Sequence, residues 1–354
     1  MRVAVGMSGG VDSSVSALLL KMAGHEVIGV TLRFHTIPES CSTDDLRVCC
    51  SPEDVKDAAK VSEKLGIPHI TFDWERIFKE RVIDYFVQEY AEGKTPNPCA
   101  ICNRDVKTGF LARYLREAVG IDKLATGHYA RIVEYKGSKV IAKAEDKSKD
   151  QSYFLALVRS KDIDLIEFPL GELTKDRVRQ IAKEHNLPVA EKRDSQEVCF
   201  LMGRKPGEFI KDVVGVKEGL IVHSSGKVMG KHTGIHNFTV GQRKGLGVAY
   251  HEPLYVLQID AKENKVVVGE KEKLYRDSLK LLYLNTHMPI NQWEDVYAVV
   301  RYRSKPVRVK DIRETQDGGY LVEFEEKVWG ITPGQVCAFY EGDVLLGGGI
   351  IAQV

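Results

Sequence analysis

Residues 2–14 read RVAVGMSGGVDSS, and this stretch limits the fold more than any other. A short apolar run of strand type meets a glycine turn. The turn opens straight into a helical pattern, VDSSVSALLLKMAG, that stops at Gly24. Such a strand–turn–helix unit buries its apolar faces when the helix packs against a parallel sheet. Glycines let the turn bring its N–H groups close to an anion, and the helix N-terminus adds partial positive charge. Gly6, Met7, Ser8, Gly9, Gly10, Val11, Asp12 and Ser13 are therefore a candidate phosphate cradle, against the plainer reading of a tight turn with a serine cap. The Gly-Lys-Ser/Thr ending of a Walker loop is missing, and so is the G-x-G-x-x-G of a dinucleotide site. Asp12 would repel phosphates unless a cation stood between them, for which Mg²⁺ is the natural candidate.

The same alternation continues. EVIGVTL (26–32) predicts a second strand, and Ser51-Pro52-Glu53-Asp54 opens a helix that ends at Gly66, with Ser51 as N-cap and Pro52 at N1. IPHITFDW is a further strand, followed by a long helix over roughly 75–91. The β–α order predicts a parallel sheet with helices on both faces. After about residue 205 short strand-like runs separated by Gly, Asn and Asp turns take over, and helical periodicity nearly vanishes. Two small β-rich modules are expected there, with a seam near 275–280. The expected domains are 1–204, 205–276 and 277–354.

With 51 basic and 50 acidic residues the net charge is +1, so any nucleic-acid surface must be a local patch. A hydrophobic share of 43% beside 29% charged residues suits a soluble globular chain. No run approaches the roughly 18 apolar residues of a membrane span. MRVAVGMSGG lacks the layout of a signal peptide. Seven unevenly spaced cysteines, an odd count, argue for a reducing cytoplasm and against a disulfide scaffold.

TPNPCAICN (95–103) holds Cys99 and Cys102 as C-x-x-C. Alone, that pattern suits a zinc clip, a redox pair, an iron–sulfur corner or a sulfur-handling site. It is accompanied by ATGHYAR (125–131), KDQSYFL (149–155), FPLGELTKDRVRQIA (168–182), RDSQEVCF (193–200) and FTVGQRKGLG (238–247). In this order and spacing the chain resembles, almost end to end, the tRNA-specific 2-thiouridylases of the MnmA family. Its S-G-G-V-D-S-S loop also resembles that of the wider PP-loop ATP pyrophosphatase superfamily. The resemblance implies an α/β fold: an N-terminal parallel-sheet, adenine-nucleotide α-hydrolase-like (PP-loop) domain followed by two small β-rich domains. It implies adenylation by ATP of the C2 oxygen of the wobble uridine, U34, followed by sulfur transfer. Uracil's C2 oxygen leaves poorly until it carries AMP, and a thiolate or persulfide is the suitable sulfur carrier.

On the same resemblance, Cys102 and Cys199 are the catalytic pair, Cys199 carrying the persulfide. Leu32 and Gly127 line the nucleotide site. Asn97, Pro98 and Cys99 meet the target base, which must be splayed from its loop to react. His128, Lys149, Asp150, Gln151, Arg301, Tyr302 and Gln335 meet the tRNA. Arg301, Arg303 and Lys305 alternate as if on one strand face, and Arg243 with Lys244 form a second basic candidate. Cys99 departs from the family's D-x-x-C. Cys99, Cys102 and Cys199 together are three soft ligands that suit a [4Fe–4S] cluster with one open iron. Cluster-free persulfide chemistry and zinc are the alternatives. Cys41, Cys49 and Cys50 read as loop or packing residues, and Cys337 as core. The expected cofactors are ATP and Mg²⁺. The expected partners are the anticodon stem-loop of Lys, Glu or Gln tRNAs and a cysteine desulfurase or relay protein as sulfur donor, with free sulfide as substitute if a cluster is present. The expected protein is a cytoplasmic monomer. A small-molecule amidating ligase of the same superfamily and a non-catalytic cluster-containing RNA-binding protein are the rival readings.

Overall fold

The computed structural model describes residues 1–33, 52–194, 198–201 and 203–352. Ser51, Cys41, Cys49 and Cys50 lie outside the described residues. Strand β1 (Arg2–Gly6) leads into helix α1 (Val11–Met22), then β2 (Glu26–Arg33), helix α2 (Pro52–Leu65) and β3 (His69–Asp73). With β4 (Lys123–Thr126) and, further on, β7 (Ile166–Glu167), these strands make a wholly parallel sheet in the order β3-β2-β1-β4-β7. Val3 and Val5 face one apolar layer under α1 and α2, while Ala4, Ile28, Val30 and Leu32 face another under the helical segments of 75–119. This is the period-two consequence of a strand buried on both sides. The long helix expected over 75–91 is three abutting pieces, with π-helical turns at Lys79–Ile83 between Glu75–Phe78 and Asp84–Ala91.

The hairpin of β5 (Ala130–Tyr135) and β6 (Ser138–Lys143) leaves this sheet. The middle of the chain forms a second sheet from β8 (Gly219–His223), β9 (Val228–His232), β10 (Tyr255–Asp260) and β11 (Lys265–Gly269). The remaining strands are β12 (Tyr275–Leu281), β13 (Asn285–Thr286), β14 (Tyr297–Val299), β15 (Val307–Glu314), β16 (Tyr320–Trp329), β17 (Val336–Glu341) and β18 (Val344–Ile350). They build a third sheet, and β6 joins it by pairing with β18 at Val344↔Ala142 and Leu345↔Ile141. The hairpin thus stitches the first half of the chain into the last sheet.

Two sequence readings are corrected. Pro206–Val214 is a helix in the region read as nearly free of helical periodicity; Pro206 sits in its first turn, and the Glu208 carboxylate accepts from the Lys205 N–H. Residues 301–303 are not strand: a turn closes there with Ser304 N–H donating to the Arg301 carbonyl, and Arg303 has φ 63°.

Candidate active site

The glycine loop sits at the carboxyl edge of β1, where ligands bind in open parallel sheets. Gly9 takes φ 69°, and a Cβ there would run into the α2 backbone at Asp54. Gly127 follows β4 on the same edge, and its missing side chain lets β4 approach α1: a Cβ would stand 2.8 Å from the Ser13 nitrogen. The Ser13 hydroxyl accepts from Ser8 N–H at 3.2 Å and donates to the Gly10 carbonyl at 3.2 Å, fixing the loop from within. No side chain caps the N-terminus of α1. Its first N–H groups, with the helix dipole behind them, are what an anion needs.

Asp12 is not left to repel that anion. Lys175, on the helix Lys175–Glu184, donates its ammonium to both Asp12 carboxylate oxygens at 2.7 and 2.8 Å. The Tyr129 hydroxyl donates to Asp12 at 2.8 Å, and burial followed by the Asp12 charge pushes that phenol's pKa up. Lys175 is only 7% exposed and also touches Asp194 at 2.8 Å. Asp194 in turn accepts from Arg179 at 2.6 Å and Lys149 at 3.3 Å. Burial alone would raise the Asp194 pKa, but the hydrogen bond from Lys175 and the neighbouring cations outweigh it and hold the carboxyl below its usual range. The sequence reading missed Lys175, Tyr129 and Asp194. A lysine in LTKD two positions after a leucine gives no sign of where it points.

The cysteine loop is clamped from the C-terminal sheet. Gln335 donates to the Thr95 carbonyl at 2.7 Å, and Thr95 N–H donates to the Pro333 carbonyl at 2.9 Å. Asn97, 8% exposed, caps the short helix Pro98–Ile101 by accepting from Ala100 N–H at 3.1 Å. The other end of its side chain reaches the buried Tyr153 hydroxyl, so Asn97 ties the cysteine loop to the aromatic residues below it. Ala100 and Ile101 pack toward Tyr153 and the C-terminal strands, whereas Cys102 packs toward the parallel sheet. Cys102 opens a π-helical run to Leu111. The sequence did not signal that geometry, which often marks functional sites.

Cys102, Leu32, Phe200 and the partly buried Cys199 belong to one apolar cluster. The fold therefore places both sulfurs in the apolar layer on one face of the parallel sheet, with the end of β2, although 97 positions separate the cysteines. Cys102 is 8% exposed, and burial pushes its thiol pKa up, with the Lys107 charge pulling the other way. None of Cys99, Cys102, Cys199 and Cys337 is joined in a disulfide, and Cys337 is fully buried, as core packing requires. Among the described residues no three His, Cys, Asp or Glu side chains converge as a metal cage. The donor set for a [4Fe–4S] cluster is therefore not assembled, and Cys99, Cys102 and Cys199 do not fit that group in this conformation.

The other RNA candidates have mixed placements. His128 pairs with the Thr126 hydroxyl at 2.7 Å, and desolvation, helped by the Lys107 charge, holds its pKa well below the usual value. Lys149 is spent on Asp194, Asp150 accepts from Ala144 N–H at 2.9 Å, and Gln151 accepts from Tyr129 N–H at 3.0 Å. The Tyr302 hydroxyl reaches the Asp150 carbonyl at 3.2 Å, so the 149–151 loop and the 301–303 turn form one surface. Arg301 is not on the outward strand face expected of it. Its guanidinium donates to Thr332 at 2.5 Å and to the Val240 and Gly330 carbonyls, and burial lowers its pKa. These contacts tie Arg301 to the fold, and Arg303 is the exposed cation of that turn.

A glycine loop at the edge of a parallel sheet and a lysine-neutralised aspartate offer a site for a phosphate-bearing ligand, with two thiols in an apolar layer of the same sheet. Residues 1–203 match the family described as tRNA methyl transferase HUP domain, residues 207–270 its PRC-barrel domain, and 276–351 an aminomethyltransferase beta-barrel domain. A protein of Aquifex aeolicus named tRNA-specific 2-thiouridylase MnmA is 60% identical across 100% of this chain and 99% of its own. One of the same name from Persephonella marina is 51% identical across 99% and 100%. The chain belongs to the tRNA-specific 2-thiouridylase MnmA family. The word methyl in the domain descriptions disagrees with the relatives' names, and the full-length identity decides for the latter. A solved Methanocaldococcus jannaschii protein, titled a predicted subunit of tRNA methyltransferase, is 21% identical over 52% of this chain and 76% of its own, with a TM-score of 0.33. Among the described residues no helix is long and apolar enough to cross a membrane.

Proposed function

We infer that this protein thiolates C2 of the wobble uridine of tRNA at the expense of ATP. The observation that carries the reading is that Cys102, Cys199 and Leu32 share the apolar layer on one face of the parallel sheet whose carboxyl edge carries the glycine loop. In the first step the uridine C2 oxygen attacks the α-phosphorus, and the bond to the β-phosphate bridging oxygen breaks. Pyrophosphate collects its charge at the α1 N-terminus, where Lys175 supplies the nearby cation. Asp12 holds Lys175 in place and would also hold the Mg²⁺ that accompanies ATP, adding charge neutralisation at the phosphates.

In the second step the Cys102 thiolate attacks the Cys199 persulfide at the cysteine's own sulfur. The terminal sulfur leaves as hydrosulfide with the bonding electron pair, a Cys102–Cys199 disulfide forms, and the hydrosulfide displaces AMP from C2. The disulfide must then be reduced by an external thiol before another turnover. Asn97, Pro98 and Cys99 would frame the uracil, and His128, Lys149, Asp150, Gln151, Tyr302 and Gln335 would shape the surface that receives the anticodon loop. Lys, Glu and Gln tRNAs are the expected substrates, a cysteine desulfurase or relay protein the expected donor, and the cytoplasm the expected place of work. Domains at 1–204, 205–276 and 277–354 remain our division, with the β5–β6 hairpin shared across it.

The test is pyrophosphate release from ATP with and without a tRNA transcript. Release that needs tRNA supports the reading. Release without tRNA favours a small-molecule ligase, and none under either condition favours a binding protein.

A further inference from the structure

The chain from Thr239 to Leu254 runs from the cysteine loop out to a surface that the proposed chemistry does not use. It starts at the site, where Thr95 donates its hydroxyl to the Thr239 hydroxyl at 3.1 Å. It then bounds an open cavity of about 490 Å³ lined by Arg243, Tyr250, His251 and neighbours. Leu246 and Leu254 turn inward, 7% and 5% exposed, so the open face is left to rings and charges.

Three rings form a ladder there. His223 is 6% exposed and is anchored by Ser225 at 2.8 Å and Glu270 at 3.1 Å. Tyr250 stacks on it with centroids 5.1 Å apart, and His251 lies 4.1 Å beyond Tyr250. The last ring is 72% exposed, with Glu252 at 3.4 Å from its Nε2. Arg243 and Lys244 are exposed on the same loop and form no ion pair among the described residues. A ring stack held rigid at its inner end, beside unpaired cations, is what an unstacked nucleotide requires. A protein partner would ask for a contiguous apolar core, whereas the cavity offers only Val248 and Pro253 besides its rings, glycines, charges and inward-turned leucines.

We propose that this face of the middle sheet is a second RNA-binding surface, taking an unpaired nucleotide of the bound tRNA on His251 and its flanking phosphates on Arg243 and Lys244. The proposal rests on the thiouridylase reading for the identity of the RNA.

The experiment measures the Kd of a full-length tRNA transcript across a salt series, together with kcat for thiolation at saturating tRNA. The proteins are wild type, H251A, H251F and R243A/K244A. H251A is expected to weaken binding roughly 5- to 100-fold, the range of one lost stacking contact, and H251F to recover most of it. R243A/K244A is expected to flatten the log–log salt slope by about 1 to 2. kcat at saturation should stay at the wild-type value in all three. Unchanged Kd and slope overturn the proposal. So does unchanged tRNA affinity combined with slower sulfur acceptance from a desulfurase, which would give the face to a protein partner. Wild-type protein that thiolates no tRNA sinks the parent reading instead, whatever the variants do.

Discussion

At Lys175 one ammonium meets two carboxylates, Asp12 from the glycine loop and Asp194 from the segment that leads to Cys199. A buried cation placed so is easily redirected to an incoming phosphate, because both partners keep other donors: Tyr129 on Asp12, Arg179 and Lys149 on Asp194. Lys175→Met should therefore fold yet lower the kcat/KM of tRNA-dependent pyrophosphate release by roughly 10²- to 10³-fold, the usual cost of one lost electrostatic partner in a transition state. Lys175→Arg should restore part of it. Unchanged release in Lys175→Met would mean that the lysine only holds the loop. The cysteines carry a second residue-level expectation. Protein prepared without oxygen should contain far less than one iron per chain, whereas about four iron and four sulfide would mean that the three thiols gather into a cluster after all.

Among the elements, the β1–α1 turn and the end of β4 are the tightest fit. Gly127→Ala puts a methyl group 2.8 Å from the Ser13 nitrogen, and the contact is backbone, which cannot swing aside. A cost of about 1–3 kcal/mol should appear as a lower Tm together with weaker ATP binding; a Tm within a degree of wild type would contradict the packing described. This turn was legible in the sequence because its signals are local: a strand, spaced glycines and the start of a helix within residues 2–14. Arg301 was not legible. Alternating basic residues look like a strand face, and nothing in RYRSKP announces a turn that drives Arg301 inward onto three oxygens. Lys175 was hidden for another reason, its partner Asp12 being 163 positions away. Cys102 and Cys199 were paired by family likeness alone; no spacing rule joins them. The helix Pro206–Val214 was missed because a short helix leading into the first β module leaves little periodicity to read.

Across the whole molecule the β5–β6 hairpin and His287 tie the halves together. His287 faces the Val158 carbonyl at 2.9 Å and the Leu345 carbonyl at 3.1 Å, linking the first half of the chain to β18. Burial lowers its pKa to about 4, against the pull of those carbonyls. His69, His232 and His236 are lowered as well, chiefly by burial. A histidine whose folded pKa lies below its unfolded value binds fewer protons when folded. Its full contribution to stability is present above the ordinary value of about 6.5 and is lost as pH falls toward the folded value. The Tm should thus decline between about pH 6.5 and pH 4, and less steeply in His287→Gln than in wild type. A flat Tm over that window would contradict the buried, neutral state of these rings.

The central claim is that Cys199 and Cys102 deliver sulfur to a uridine activated by ATP. Its most direct measurement is nucleoside mass spectrometry of a tRNA transcript after incubation with the protein, ATP, a thiol reductant and a cysteine desulfurase with cysteine. The account predicts 2-thiouridine at the wobble position, one AMP formed per thiolation, and none of the product with Cys199→Ala or Cys102→Ala although both variants still bind ATP. Wild-type yields of 2-thiouridine from either variant would contradict it.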